Sequence, residues 1–283
     1  MAQNSLSNRF TLESYGIRIG VEANRDEILE KVKKILPIEL PERYKIVKNE
    51  FINHFFSLNY TKKGDYSLVK NGEKLACGIS EEDIIKYFGR EIRITVAEFA
   101  KGKVFLHAGV VGHKGQAIII PASSFRGKTT LVAELIKKGA LYYSDEYAVL
   151  DEAGLVQPFP KMLSVRGIIN EYTQMDCPVE SFGGEVGKEP LPVGLVLIAE
   201  YKKDAKWNIK FLSPAQGIME MLNHTIPIRH KPKFALEVLK RVANRAIIAK
   251  TKRGEAEEFA GMLLNFFESE MIQKSYVNRF RIS

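Results

Sequence analysis

The fold is decided by the stretch Gln116-Ala-Ile-Ile-Ile-Pro-Ala-Ser-Ser-Phe-Arg-Gly-Lys-Thr-Thr130. It opens as a short apolar run of the kind found in buried strands, and it then passes through a polar loop. The residues that follow, 130–138, repeat apolar side chains at helical spacing, and Gly139 closes that helix. A strand, a loop and a helix in this order predict the central unit of an α/β fold.

The loop of this unit, Ala122–Thr129, fits the phosphate-loop pattern, with Ala in place of the first Gly. In such a loop, backbone N–H groups and the helix N-terminus surround a polyphosphate; Lys128 would reach the β- and γ-phosphates, and the Thr129 hydroxyl would bind Mg²⁺. The loop is poor in Gly, which makes its affinity less certain than its topology. We therefore expect ATP and Mg²⁺ as cofactors, with nucleotide contacts from Ser123, Ser124, Phe125, Arg126, Gly127, Lys128, Thr129 and Thr130.

An acidic pair, Asp145-Glu146, follows about sixteen residues later within the apolar run 140–150, which reads as one strand. Buried carboxylates are costly unless they are used, so the pair is a candidate for proton and metal chemistry. Asp145 is the first choice as base and metal ligand, and Glu146 is the second metal ligand. Alternation along a strand sends the two side chains to opposite faces. If the strand instead ends at Ser144, the pair would be solvated.

Two further residues complete the candidate catalytic set of Asp145, His107, Arg166 and Lys128. His107 lies on the strand before the loop strand, although a strand histidine by itself is more often a satisfied core residue. Arg166 follows a proline-rich turn and could neutralise charge that develops on a transferred group. Alone it would be an ordinary surface arginine.

The rest of the chain predicts an N-terminal α+β region over 1–100 and a phosphate-loop domain over 101–283 that ends in helices. In the first region, Asn71-Gly72 predicts a tight hairpin turn and Ser80 a helix cap, while Pro37 and Pro41 are expected to stop a helix that begins near Asn24. The overall class is α/β, or α+β for the whole chain, with a mixed sheet and flanking helices.

Composition narrows the classes of protein further. The 283 residues are 45% hydrophobic and 27% charged, which excludes a disordered or collagen-like chain. No apolar run is long enough to span a bilayer, no secretory signal is visible, and two cysteines make no disulfide framework, so a cytoplasmic protein is expected. The net charge of +8 favours anionic partners. Much of that excess lies in 229–253, where nine Lys or Arg accompany one acid.

In order and spacing, His107, the phosphate loop, Asp145-Glu146 and Val165-Arg166-Gly167-Ile168-Ile169 resemble the catalytic domain of bacterial HPr kinase/phosphorylase. The resemblance covers about 104–170, and it implies that His107 and Asp145 handle a proton, that Glu146 helps to hold magnesium and that Arg166 lies near the transferred phosphate. Outside that stretch the chain looks more like divergent HPr-kinase-like peptide serine kinases, such as lasso-peptide precursor kinases. The family usually has Asp where this chain has Glu146.

Three functions remain open from the sequence. The first is an ATP- and Mg-dependent kinase that phosphorylates a hydroxyl, most simply a serine of a peptide or protein. The second is a nucleotide-binding regulatory or assembly ATPase with weak or lost kinase activity. The third, a nucleic-acid-associated NTPase, is disfavoured because the basic run 229–253 lacks regularly interleaved aromatic residues. The acceptor, any reverse phosphorylase reaction and the oligomeric state are not fixed by sequence, although HPr kinase itself forms oligomers.

Overall fold

The computed structural model describes residues 8–48, 51–122, 127–166 and 174–280. The chain divides into two compact units, Met1–Gly102 and Lys103–Ser283. Both combine helices with β-sheet, so the predicted mixed α/β class is confirmed. None of the described helices is both long enough and apolar enough to cross a membrane.

The first unit packs two helices against a sheet. Its helices are α1 (Asp26–Glu39) and α2 (Glu81–Phe99), and its described strands are β1 (Asn8–Ser14), β2 (Ile17–Ala23), β3 (Lys45–Val47), β4 (His54–Tyr60), β5 (Tyr66–Lys70) and β6 (Glu73–Ile79). They pair in the order β3-β1-β2-β4-β5-β6. Phe56 of β4 meets Phe88 of α2 edge to face, with 5.4 Å between ring centroids, and both are fully buried. Burial of one sheet face under the helices is therefore what stabilises this unit.

Local signals in this unit had mixed outcomes. Asn71 and Gly72 both have positive φ, 52° and 86°, and they form the predicted turn between β5 and β6. The Ser80 hydroxyl accepts a hydrogen bond from the Asp83 N–H at 3.1 Å, as a helix cap should. The prediction that Pro37 stops α1 was wrong, because Pro37 lies inside the helix, whereas the stop at Pro41 is confirmed, because α1 ends at Glu39 with Leu40 as its C-cap. The neighbours of Pro37, Leu36 and Leu40, are fully buried, and this packing outweighs the lost backbone hydrogen bond.

The second unit is built on a larger mixed sheet. Its described strands are β7 (Lys103–His113), β8 (Gln116–Pro121), β9 (Leu141–Ser144), β10 (Tyr147–Asp151), β11 (Leu155–Gln157), β12 (Leu163–Arg166), β13 (Gln174–Cys177), β14 (Leu191–Tyr201), β15 (Ile209–Phe211) and β16 (Ile247–Arg253). The helices are α3 (Lys128–Lys137), α4 (Pro214–Leu222), α5 (Pro232–Arg245) and α6 (Ala256–Phe280), with 3₁₀ turns at Val179–Phe182 and Ile226–Arg229.

The strand order of this sheet positions the site. The strands pair as β11-β10-β7-β8-β14-β16-β15, β9 adds to β7, and β12 and β13 form a separate hairpin. Three neighbours, β8, β14 and β16, are parallel. Their carboxyl ends therefore meet at one edge, where α/β sheets usually bind ligands. Helices α3 and α6 contribute to the apolar core on one face, and α4 and α5 contribute to the core on the other.

The acidic pair interrupts the strand that was predicted over 140–150. Strand β9 ends at Ser144 and β10 begins at Tyr147, so the prediction of one continuous strand was wrong. The Ser144 hydroxyl accepts hydrogen bonds from the N–H groups of Glu146 and Tyr147, at 3.1 and 2.9 Å, and this local turn replaces the ladder. The interruption does not expose the first acid, because Asp145 is only 8% exposed.

Candidate active site

The N-terminus of α3 is held in place from β16. Gly127 precedes the helix with φ of 72°, a conformation that a side chain disfavours. A Cβ atom there would also lie 2.4 Å from Nη2 of Arg253. That nitrogen donates a 2.8 Å hydrogen bond to the Gly127 carbonyl, and Arg253 is itself 4% exposed. The first turn of α3 thus presents its free N–H groups next to a buried guanidinium.

Lys128 turns inward, towards β7. It is 9% exposed, and its Nζ lies 3.2 Å from Nε2 of His107. Gly109 of β7 makes the room, since a Cβ there would come within 3.1 Å of the Lys128 side chain and 2.6 Å of Val132. Burial lowers the pKa of Lys128, and the carboxylates of Asp145 and Glu146 oppose that shift. Lys128 therefore places an ammonium group inside the site.

Asp145 is the buried acid of the site. The Thr129 hydroxyl donates a 2.7 Å hydrogen bond to its Oδ2, whereas its buried Oδ1 finds no hydrogen-bond partner among the described residues. Burial raises the pKa of Asp145 to about 6, although Lys128 and the Thr129 hydroxyl act to lower it. A buried carboxylate oxygen without a partner among the described residues is costly, which makes Asp145 a candidate ligand for a metal ion or a substrate.

Two histidines lie on the far side of Lys128. Burial, followed by the charge of Lys128, lowers the pKa of His107 to about 4, so its imidazole is neutral at pH 7. The backbone N–H of His107 donates to the His224 carbonyl at 2.8 Å, which ties the segment after α4 to β7. Burial and Lys128 also lower the pKa of His224. Neutral His107 can accept a hydrogen bond from the Lys128 ammonium.

Replacing His107 with Gln should remove a pH-dependent loss of stability. The unfolded chain takes up a proton on this histidine near its ordinary pKa of 6.5, but the folded protein resists until about 4. The contribution of His107 to the free energy of unfolding of the wild type should therefore fall as pH drops from 6.5 to 4. Relative to wild type, His107→Gln should gain about 2 kcal/mol between pH 7 and pH 4, measured by urea denaturation. His230→Gln, which removes an exposed imidazole, is the control; matching pH profiles for wild type and His107→Gln would contradict the argument.

The structure brings part of the predicted site together and leaves the rest of it aside. His107, Lys128, Thr129 and Asp145 converge. Glu146 lies half-buried beside them. Its charge contributes to the raised pKa of Asp145 and partly opposes the lowering of the pKa of His107. The other predicted residues are not part of this cluster as described: Thr130 is exposed on the first turn of α3, Arg166 ends β12 with its side chain outside the described residues, and Ser123, Ser124, Phe125 and Arg126 lie outside them altogether.

Two residues of the site were missed by the sequence reasoning. Arg253 belongs to the basic run 229–253, yet it is buried at the end of β16. Its place immediately after an apolar strand segment was the available signal. His224 carries no such signal, because only the backbone pairing of β7 with the segment beyond α4 brings it to Lys128.

The donor set suits magnesium. The described residues contain no group of three His, Cys, Asp or Glu side chains that could hold a metal unaided. Mg²⁺ is commonly bound through one or two carboxylates together with substrate phosphates and water. The Thr129 hydroxyl and the unpartnered oxygen of Asp145 are hard oxygen donors of that kind, and Glu146 is next to them. The residues therefore fit a magnesium ion that arrives with a phosphate ligand.

Comparisons with known proteins give a fold neighbour. No family model and no curated protein matches the chain. Solved structures do match, among them the Hpr(Ser) kinase/phosphatase from Coxiella burnetii, which is 13% identical with a TM-score of 0.34, over 62% of this chain and 96% of that one.

Proposed function

We propose that this protein is an ATP- and Mg²⁺-dependent kinase that transfers the γ-phosphoryl group to a hydroxyl, most simply a serine of a peptide or protein. The observation that carries the proposal is the Asp145 carboxylate, buried with one oxygen unpartnered and positioned beside Lys128 and Thr129 at the start of α3. Phosphoryl transfer needs such a set: a cation for the phosphate, a metal ligand and an acceptor for the hydroxyl proton.

The phosphate side of the reaction is served by α3 and Lys128. The helix N-terminus supplies unpaired N–H groups and the positive end of the helix dipole. Lys128 adds a full charge that already lies inside the site, held 3.2 Å from the neutral His107. Turning from His107 to a phosphate oxygen would give that ammonium an anionic partner. His107 thus acts as the resting partner that orients Lys128.

The proton side is assigned to Asp145. With a pKa of about 6, it is ionised at pH 7.5 and still basic enough to accept a proton. The serine oxygen would attack the γ-phosphorus, the bond from that phosphorus to the ADP oxygen would break, and the serine proton would pass to Asp145. His107, with a pKa of about 4, is the weaker base of the two. Bound Mg²⁺, held by Thr129 and the carboxylates, would neutralise phosphate charge.

The acceptor can be tested directly. Purified protein, γ-labelled ATP and Mg²⁺ should label serine peptides, including lasso-type precursor peptides, and should not label copies in which that serine is Ala. Chelation of Mg²⁺ should stop the labelling. ADP release that is equally fast with and without any acceptor, and with no labelled peptide, would overturn the kinase and favour the regulatory ATPase.

A further inference from the structure

A cavity of about 490 Å³ opens at the end of β16, and its described lining includes none of the candidate catalytic side chains. Its volume lies within the range of small-molecule sites, roughly 300–1,000 Å³. Its lining consists of two segments, one after β14 and one at the start of α6: Asp204, Ala205, Lys206 and Trp207, with Gly254, Glu255, Glu258, Phe259 and Met262.

The sheet places this cavity beside the phosphate-binding end of α3. Strands β8, β14 and β16 are parallel neighbours, so the loop before α3 and the cavity segments leave the same sheet edge. Arg253, the last residue of β16, donates to the Gly127 carbonyl at 2.8 Å, and the next residue, Gly254, lines the cavity. One side chain therefore bridges the start of α3 and the mouth of the cavity.

We propose that this cavity is the pocket for the base of the nucleotide, a purine, whose phosphates extend past Arg253 to α3. The inference rests on the proposed function for the presence of a nucleotide, and it adds the site where the base binds. A flat heteroaromatic ring needs an apolar surface, which the partly exposed side chains of Trp207 and Met262 provide, with the buried Phe259 ring packed behind Trp207.

The charges around the cavity indicate which part of a nucleotide can enter it. Three carboxylates line it, from Asp204, Glu255 and Glu258, against the single ammonium of Lys206. Such a lining repels a phosphate and accepts hydrogen bonds from exocyclic amino groups, which purine bases carry. Arg253 has the opposite character, since it is a buried cation that donates hydrogen bonds to the backbone carbonyls of Gly127 and Gly254. The base therefore belongs in the cavity and the phosphates on the side of Arg253.

Trp207 gives the pocket a firm wall. Its ring packs against Phe259 and Phe266, with centroids 5.2 and 5.8 Å away, and it remains partly exposed. It is also the only tryptophan in the 283 residues, so the fluorescence of the whole chain reports on this cavity. A base that stacks near Trp207 should quench its emission.

The test compares ATP with inorganic tripolyphosphate, by titration calorimetry and Trp207 fluorescence on the full chain. ATP should quench the emission, and tripolyphosphate should bind without quenching it. Ala205→Leu, which places a larger side chain in the cavity, should weaken ATP binding by roughly 5- to 100-fold, the range expected for a lost base-stacking contact. It should leave tripolyphosphate affinity unchanged. Lys203→Leu adds the same side chain to an exposed position on the same segment and should change neither.

The outcomes separate this inference from the kinase proposal. ATP binding that is lost with Lys128→Met, but is unaffected by Ala205→Leu and does not quench Trp207, would overturn the base pocket and leave the phosphate site standing. Quenching by ATP that survives Lys128→Met would support the pocket and contradict the role of Lys128. If the wild-type chain binds neither ATP nor tripolyphosphate, both proposals are overturned.

Discussion

Asp145→Asn is expected to slow phosphoryl transfer by about 10²–10⁴-fold, the contribution of a positioned general base. The same substitution should make the protein more stable above pH 6. Burial raises the pKa of this carboxyl from an ordinary 3.8 to about 6, so the folded state holds the proton more tightly than the unfolded chain does. The contribution of Asp145 to the free energy of unfolding of the wild type therefore decreases as pH rises from about 4 to 6.

The expected gain for Asp145→Asn is about 1–2 kcal/mol at pH 8, less than the full shift implies because the amide is also buried without all its partners. The gain should vanish near pH 4, where the wild-type carboxyl is protonated. Urea denaturation at the two pH values and the peptide-labelling rate measure the two effects. If Asp145→Asn is slow but also less stable than the wild type at pH 8, its slow transfer would reflect a damaged fold. That result would contradict the role of Asp145 as a buried general base.

Asp151→Asn is the matched control for Asp145. Asp151 ends β10, and its carboxylate accepts hydrogen bonds from the Leu155 N–H and the Gln157 side chain, at 2.9 and 3.0 Å. Its replacement should reduce stability without changing the labelling rate at a temperature where the variant is folded. The two aspartates should thus show opposite patterns, because one carboxylate is satisfied within the fold and the other is not.

Lys128→Met is expected to reduce transfer by about 10³-fold, the scale at which removal of a charge-stabilising group acts in preorganised sites. Met keeps the length and the buried volume of the side chain, so the loss should reflect the missing charge. ATP and tripolyphosphate should both bind more weakly, as measured by titration calorimetry. Transfer at the wild-type rate would exclude Lys128 from the phosphate site.

Loss of Lys128 should also change its neighbours. Its charge lowers the pKa values of both His107 and Asp145, so both should rise in Lys128→Met, which nuclear magnetic resonance titration of the His107 ring would detect. Lys137→Met is the matched control, since Lys137 lies on the same helix and its ammonium pairs with Glu134 at 2.7 Å on the exposed face. It should alter neither transfer nor the His107 titration.

The side chains of the candidate site were predictable to the extent that a local pattern carried them. Gly127, Lys128 and Thr129 lie at a strand-to-helix junction, and the same short sequence pattern that suggests phosphate binding also predicts that junction. The burial predicted for Asp145 is confirmed, although the continuous strand predicted around it was wrong. The turn made by Ser144 depends on one hydroxyl capturing two N–H groups, and periodicity does not register such a contact.

Arg253 and His224 were beyond that reasoning. Arg253 looks like the end of a basic stretch until β16 is known to run parallel to β14, next to the loop strand β8. Similarly, Pro37 reads as a helix stop until Leu36 and Leu40 are seen to be buried on either side of it. In each case a contact between distant segments outweighs the local preference.

The sequence by itself determined the strand, loop and helix of the central unit, the mixed α/β class, and the identities of Lys128, Thr129 and Asp145, because these follow from hydrophobic periodicity and from residues that are neighbours along the chain. Only the tertiary structure decided that His107 holds Lys128 and that one oxygen of Asp145 has no partner among the described residues. It also decided that Arg253, which is 126 residues from Gly127 along the chain, connects the start of α3 to the cavity at the end of β16. Those facts depend on strand order and burial. Both are settled by the packing of the whole sheet, and packing sets the electrostatic environment in which each group works.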